Sequence, residues 1–208
     1  EVSQKESEEI RWKLDEERRL LHEITGRLKP LREMQTAALD TDDERSLAWF
    51  QGRGLANAPR LAQEVQVVPG WEVAVDAILG DRLAGLGIVQ LALTLDTDQE
   101  LPSVNLFLIE AAQSESKDVN DNMLLSRLHS PRYDLRPWLI GVYVADTLDE
   151  ALSLRPTLSS QESIVTRSGV VIGSNWVYAP NAANIQGRIL ARAEEIHQLE
   201  IDKSGYES

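Results

Sequence analysis

The chain has 208 residues, room for one domain of ordinary size with appendages, and its 42% hydrophobic and 26% charged residues are a globular composition. It has no cysteine, which excludes disulfides, thiolate metal sites, iron–sulfur clusters and cysteine nucleophiles, and no apolar run reaches the roughly 18 residues a bilayer requires. With 34 acidic against 21 basic side chains the net charge is −13, so the chain on average repels nucleic acid and anionic membrane, and none of its five lysines follows a glycine-rich phosphate-binding loop.

The first forty residues predict a helix with a coiled-coil seam. Steps of four and three from Ile10 give Leu14, Glu17, Leu21, Ile24, Leu28, Leu31, Gln35 and Ala38, and six of these nine positions are large aliphatics among charged neighbours. A 3.5-residue repeat of this kind keeps an apolar stripe on one partner as helices supercoil. Pro30 lies inside the stripe, whose register continues past it, so a kink is expected there and not an end. Because the chain opens within this charged helical pattern, it is expected to be a piece of something longer. The acidic run Asp40–Glu44 closes the seam.

Residues 69–80, with Pro at the start and Gly past the end, predict a helix. Residues 86–93 and 104–109 read as strands, 114–122 as a polar loop, and 139–144 as a further strand. Thr147-Leu148-Asp149-Glu150 is a capping box that opens a helix through Leu154. Ser163–Thr166, a Ser168-Gly169 turn and Val170–Ile172 predict a hairpin. A second seam, Ile185, Ile189, Arg192, Ile196 and Leu199, closes the chain. Helices and strands interleave, so the fold class is mixed α/β of the α+β kind. The division is a coiled-coil stub at 1–42, a globular middle at 43–184 with an internal boundary near 113–125, and a second stub at 185–208. The two seams are expected to pair with each other, antiparallel, as the chain leaves and returns; a parallel dimer of helices is the competing arrangement.

Several segments of the middle carry a resemblance. They are Pro59-Arg60-Leu61-Ala62-Gln63, Pro69-Gly70-Trp71-Glu72-Val73-Ala74-Val75-Asp76-Ala77-Ile78-Leu79-Gly80-Asp81, Asn105–Ala112, Ser163–Gly173 and Ile189-Leu190-Ala191-Arg192. In this order, between two coil segments, they resemble the hinge domain of bacterial SMC proteins, of the proteobacterial branch, over about 44–192. Many hinges carry paired glycines after the last strand, where this chain has Pro180-Asn181-Ala182-Ala183-Asn184. The resemblance implies a two-lobed hinge flanked by an antiparallel coiled coil, belonging to a cytoplasmic, nucleoid-associated SMC complex of chromosome condensation and segregation. It also implies homodimerisation through two head-to-tail contacts and weak DNA binding. ATPase heads, kleisin and accessory subunits would belong to the absent parts of the parent protein. No cofactor, metal or membrane partner is expected for the fragment itself.

Glycine lets two backbones approach closely and an open sheet edge invites another strand, so two edges are candidates for self-association. One is Gly85, Gly87, Ile88 and Val89; the other is Gly169, Val171, Ile172, Gly173 and Trp176. Pairing of one edge with the other in a partner chain would give two equivalent contacts about a two-fold axis. Residues 127–192 are the only net-basic stretch, at seven basic against five acidic side chains. There Arg127, Arg132, Arg136, Arg188 and Arg192, with Tyr133 and Trp138 interleaved, are the candidate DNA contacts. Catalysis has little to build on. His22, His129 and His197 are far apart, and Asp76, Asp81, Asp146, Asp149 and Glu150 sit at helix ends, where carboxylates serve as caps. Gly52-Arg53-Gly54 and Gly85-Leu86-Gly87 each hold two glycines of a dinucleotide fingerprint without its strand–helix context. The alternative is a small-molecule-binding or enzymatic α/β domain flanked by oligomerising helices.

Overall fold

The computed structural model describes residues 2–39, 44–95, 101–102, 106–112, 120–180 and 188–206, and of these not the side chains of 2–10, 39 and 44–46. The Ile185 seam position, the acidic run up to Asp43, Asn105, the loop at 114–119 and the segment Asn181–Asn184 therefore lie outside the described residues, and of the Ile10 seam position only the backbone is described. The helices are α1 (Val2–Leu39), α2 (Glu44–Gly52), α3 (Leu61–Glu64), α4 (Glu72–Leu79), α5 (Leu91–Thr94), α6 (Arg136–Leu139), α7 (Leu148–Leu154) and α8 (Ile189–Tyr206). The strands are β1 (Gln66–Val67), β2 (Leu86–Ile88), β3 (Leu108–Glu110), β4 (Leu128–His129), β5 (Val142–Ala145), β6 (Ser163–Thr166), β7 (Val171–Gly173) and β8 (Val177–Tyr178). The chain divides into two compact units, Glu1–Ala37 with Arg192–Ser208, and Ala38–Ala191. Among the described residues no helix is long and apolar enough to cross a membrane.

The first unit is a helix pair. α1 runs unbroken through Pro30. Ile24, Leu28 and Leu199 are buried together, with Leu31 and Ile196 packed against them. Arg192 reaches the carbonyl of Met34 at 3.0 Å, whereas Leu199, further along α8, meets the earlier residues Ile24 and Leu28, so the helices run antiparallel. Arg27–Glu195 at 2.8 Å and Arg32–Glu200 at 2.6 Å link the pair at its surface; exposed as they are, such bridges contribute about 0–1 kcal/mol each. Two seam expectations are corrected. Leu14 is exposed, and Ile189 is buried in the core of the second unit beside α4 residues and not in the helix seam. Leu21 is half-buried.

The second unit is built around α4. Ala74, Val75 and Leu79 of this helix are fully buried, with Leu61, Leu83, Leu124, Leu139 and Val165 around them. The main sheet has the order β5-β6-β7-β8, with β5 and β6 parallel across the α7 crossover and the rest antiparallel. Alternate side chains of its inner strands serve two cores: Val165 and Val171 join the α4 core, while Ile164 and Ile172 pack with Ala145 and Ala151 on the other face. A strand buried on both faces reads as a continuous apolar run, and that is why Ile164-Val165 and Val170-Val171-Ile172 do not alternate with polar residues. Two small sheets, β1-β4 antiparallel and β2-β3 parallel, complete the unit.

The strand expected at 86–93 is shorter, because β2 ends at Ile88 and residues 91–94 coil into α5. Likewise Leu139 closes the short helix α6, and the strand that follows begins at Val142. The cap on α7 is made as expected on one side only: the Thr147 hydroxyl accepts from the Glu150 N–H at 3.2 Å. The Glu150 carboxylate accepts instead from the Asp146 N–H, at 2.7 Å, one residue before the cap. Thr147→Ala is expected to lower stability by about 1 kcal/mol, the usual worth of an N-cap, measurable as a shift of the urea midpoint at constant slope.

Candidate interaction surface

The first predicted edge is not an edge. β2 is flanked by β3 on one side and by residues 59–61 on the other, where the Gly87 N–H donates to the Pro59 carbonyl at 2.8 Å and the Leu61 N–H to the Gly85 carbonyl at 2.9 Å. Its glycines serve this chain's own packing. A Cβ on Gly87 would strike the Tyr133 hydroxyl, and one on Gly85 would strike the Phe107 ring and the Arg82 carbonyl. Gly87→Ala should therefore destabilise the fold by about 1–3 kcal/mol, the usual range for overpacking a filled site. Tyr133→Phe in the same chain removes the oxygen in the way and should recover part of the loss, a non-additivity that paired thermal melts would reveal. Ile88 is buried as well, and only Val89 of this set reaches solvent, at 87% exposure.

The second predicted edge is displaced by one strand. Gly169 has φ +83° in the β6–β7 turn, pressed against Val73 of α4. Val171 and Ile172 are buried in β7, an inner strand. The Gly173 N–H donates to the Trp176 carbonyl at 2.9 Å, and a Cβ on Gly173 would strike the Trp176 indole. The sheet's outer strand is β8, which among the described residues pairs only with β7. It presents Trp176, Val177 and Tyr178 to solvent, exposed by 47%, 56% and 53%. Val177 and Tyr178 went unread in the sequence, although Gly173-Ser174-Asn175 is a turn signal and Trp-Val-Tyr is strong strand vocabulary.

A second apolar surface lies on the same unit. Val89, Leu93 and Leu95 are exposed on and beside α5. Val89 and Leu93 border an open cleft of about 520 Å³ whose walls include Leu55, Ile88, Arg53, Arg132 and Tyr133. Arg53 lies over the Trp49 ring at 4.0 Å and donates to the Thr94 carbonyl at 3.0 Å. Arg132 pairs with Glu64 at 3.3 Å. Burial, reinforced by the charge of Glu64, pushes the Tyr133 hydroxyl above the ordinary tyrosine range.

Four of the five arginines proposed for DNA are engaged within their own chain. Arg192 is buried and donates to a backbone carbonyl, so it cannot meet a phosphate. Arg136 is held by both oxygens of Asp134, at 2.8 Å each, and this hydrogen bonding holds the Asp134 carboxyl below its usual range. Arg132 is engaged with Glu64, Arg127 faces the Trp71 ring at 5.7 Å, and Arg188 is half-buried. Nor are the aromatics available for stacking on bases: Tyr133 is buried, and Trp138 packs edge-on against Phe107 with ring centres 5.4 Å apart.

The acids sit where caps and ion pairs need them. Asp76 is buried, and its two carboxylate oxygens accept from the N–H groups of Leu190 and Ala191 at 2.9 Å each. A carboxylate on α4 thus caps the first turn of α8, where unsatisfied amides and the helix dipole favour negative charge. Asp146 pairs with Arg167, whose guanidinium lies over Trp71 at 4.7 Å. Among the described residues no three of His, Asp and Glu come together as a ligand set.

No family model matches the chain. It is 32% identical over 178 residues to the chromosome partition protein Smc of Coxiella burnetii, covering 84% of this chain and 15% of that protein. The Smc of Methylococcus capsulatus is 31% identical over 190 residues, covering 90% of this chain and 16% of its own length. The chain therefore spans only 15–16% of the curated relatives it matches. In three dimensions it is similar to the SMC hinge domain of Geobacillus stearothermophilus, crystallised as an asymmetric dimer. The TM-score is 0.67 at 16% identity, over 99% of this chain and 90% of that one.

Proposed function

The chain belongs with the bacterial Smc proteins and carries their hinge fold, and from that premise we propose that it is a homodimerisation hinge joining two coiled-coil arms in chromosome partition. One observation carries the reading: the apolar outer strand β8, where Val177 and Tyr178, with Trp176 just before them, stand half in solvent on an edge that no other described strand pairs. Large apolar side chains standing exposed along a strand edge invite pairing with another chain. The occupant is a second copy, whose exposed Val89–Leu93 surface offers the complementary apolar ground. Two copies exchanging these surfaces make two equivalent contacts and close upon themselves, leaving no open end to polymerise. That the Geobacillus hinge crystallised as a dimer supports self-association.

The work of such an element is mechanical. ATP hydrolysis, kleisin binding and the remaining length of the arms fall to segments of the parent protein outside this one, acting in the cytoplasm at the nucleoid. DNA contact is left out of the proposal, since Arg132, Arg136 and Arg192 are each engaged by a partner of their own chain.

Sedimentation velocity over a concentration series tests the reading. A species of twice the chain mass at low micromolar concentration is the expected result. A monomer throughout overturns it, and returns the cleft to the rival reading of a ligand-binding α/β domain.

A further inference from the structure

One charged residue in the helix pair is buried where its neighbours are apolar. Arg192 is only 2% exposed, yet it occupies the position between Ile189 and Ile196 in the four–three stepping of α8. Its guanidinium donates to the Met34 carbonyl at 3.0 Å, beside Gln35, which stands at the matching step of α1. The next layers, Leu31 with Ile196 and Leu28 and Ile24 with Leu199, are aliphatic. Over the four steps Ile189, Arg192, Ile196 and Leu199, Arg192 is thus the one polar side chain of the α8 stripe.

An aliphatic seam is indifferent to its partner, because any apolar stripe of the same period fits it. A buried guanidinium is not indifferent. It is tolerated only where an acceptor meets it, and removing that acceptor leaves an unpaired charge in a low-dielectric place. In α1 that acceptor is the Met34 carbonyl. Were α8 to pair with α8 of a second copy in parallel, Arg192 would face Arg192, two like charges inside the seam. In any other α8–α8 arrangement the guanidinium still forfeits Met34. The surface bridges Arg27–Glu195 and Arg32–Glu200 favour the same partner, but they are exposed and weak.

We infer that Arg192 is the residue that selects the partner of α8: it ties this helix to α1 of its own chain and bars it from zipping against α8 of another copy. Contacts between copies are thereby left to other surfaces. This inference rests on the seam alone and stands or falls apart from the dimer proposed above.

The absence of cysteine makes the test direct. Leu199, buried in the seam, is replaced by cysteine, and interchain disulfide is measured on non-reducing gels after mild oxidation of the full chain. With Arg192 in place, the crosslinked fraction should stay at the level of a control cysteine at Ser159, exposed in the other unit. Arg192→Met, of similar length and uncharged, should raise it at least tenfold. Arg192→Lys, which keeps the charge and a donor, should hold it near the starting level. A Leu28→Cys/Leu199→Cys pair reports whether α1 still holds α8, by closing within one chain. No rise in Arg192→Met while that intrachain pair still closes overturns the inference, and so does a rise in Arg192→Lys equal to that in Arg192→Met. Should Arg192→Met not fold, Arg192→Leu under the same readings decides in the same way.

Discussion

Replacing Val177 by lysine is expected to weaken self-association by about 100- to 1000-fold while leaving the chain folded. In the free chain Val177 is 56% exposed on β8 and opposite Ile172 of β7, so a lysine there can extend into water at little cost. Against a second copy it cannot. Each contact loses the apolar burial of a valine and gains an ammonium to desolvate, about 1.5–2 kcal/mol by the usual scales, and two equivalent contacts give about 3–4 kcal/mol. At about 1.4 kcal/mol for each tenfold, that is two to three decades in Kd. Sedimentation velocity reads the shift, and an unchanged circular dichroism melt shows that the fold has been spared. Gly173→Glu is a poorer probe of the same edge, because its side chain would first displace the chain's own Trp176. A dimer indifferent to Val177→Lys would place the contact elsewhere on the unit.

Asp76→Ala is the substitution with the largest expected effect on stability. The carboxylate is buried and takes two backbone N–H groups of α8 at 2.9 Å each. Hydrogen bonds to a charged group are worth about 1.5–3 kcal/mol each, so loss of the two is expected to cost about 3–6 kcal/mol. For a chain of this length that corresponds to a fall of roughly 6–24 °C in Tm. Asp76→Asn keeps one acceptor and should fall between the two. Amide exchange at Leu190 and Ala191 would accelerate in the alanine variant before exchange in β6 does, if the cap acts on α8 first. Equal protection in both variants would mean that α8 begins where it does for another reason.

The sequence made the elements legible where one period dominates. The helix α1 and its run through Pro30 follow from the four–three stepping, which by itself leaves an antiparallel return in α8 and a parallel dimer of helices both open. Strands β6 and β7 follow from two apolar runs around a Ser-Gly turn. Edges were harder to read, because a strand's neighbours are not written in it. Nothing in Gly85-Leu86-Gly87 says that residues 59–61 will lie along its free side, so β2 reads as an edge when it is an inner strand. A glycine that admits a tyrosine from 46 positions away looks the same as one that admits a second backbone. Asp76 resembled an ordinary helix-end acid, and its partners on α8, more than a hundred residues on, carry no side-chain signal because they are backbone amides. Arg192 was misplaced for a related reason: periodicity put it on the seam and charge put it on the surface, and only the Met34 carbonyl reconciles the two.

The helix pair also sets a timetable for synthesis. α1 leaves the ribosome before α8, and Ile196 and Leu199, which cover Ile24, Leu28 and Leu31, lie at least 165 residues downstream. At about 5–20 residues per second the stripe on α1 waits on the order of ten seconds or longer for its cover. During that interval the nascent helix depends on its dense acidic and basic faces to stay clear of other chains, and on a folded middle to bring the two ends near each other before they meet.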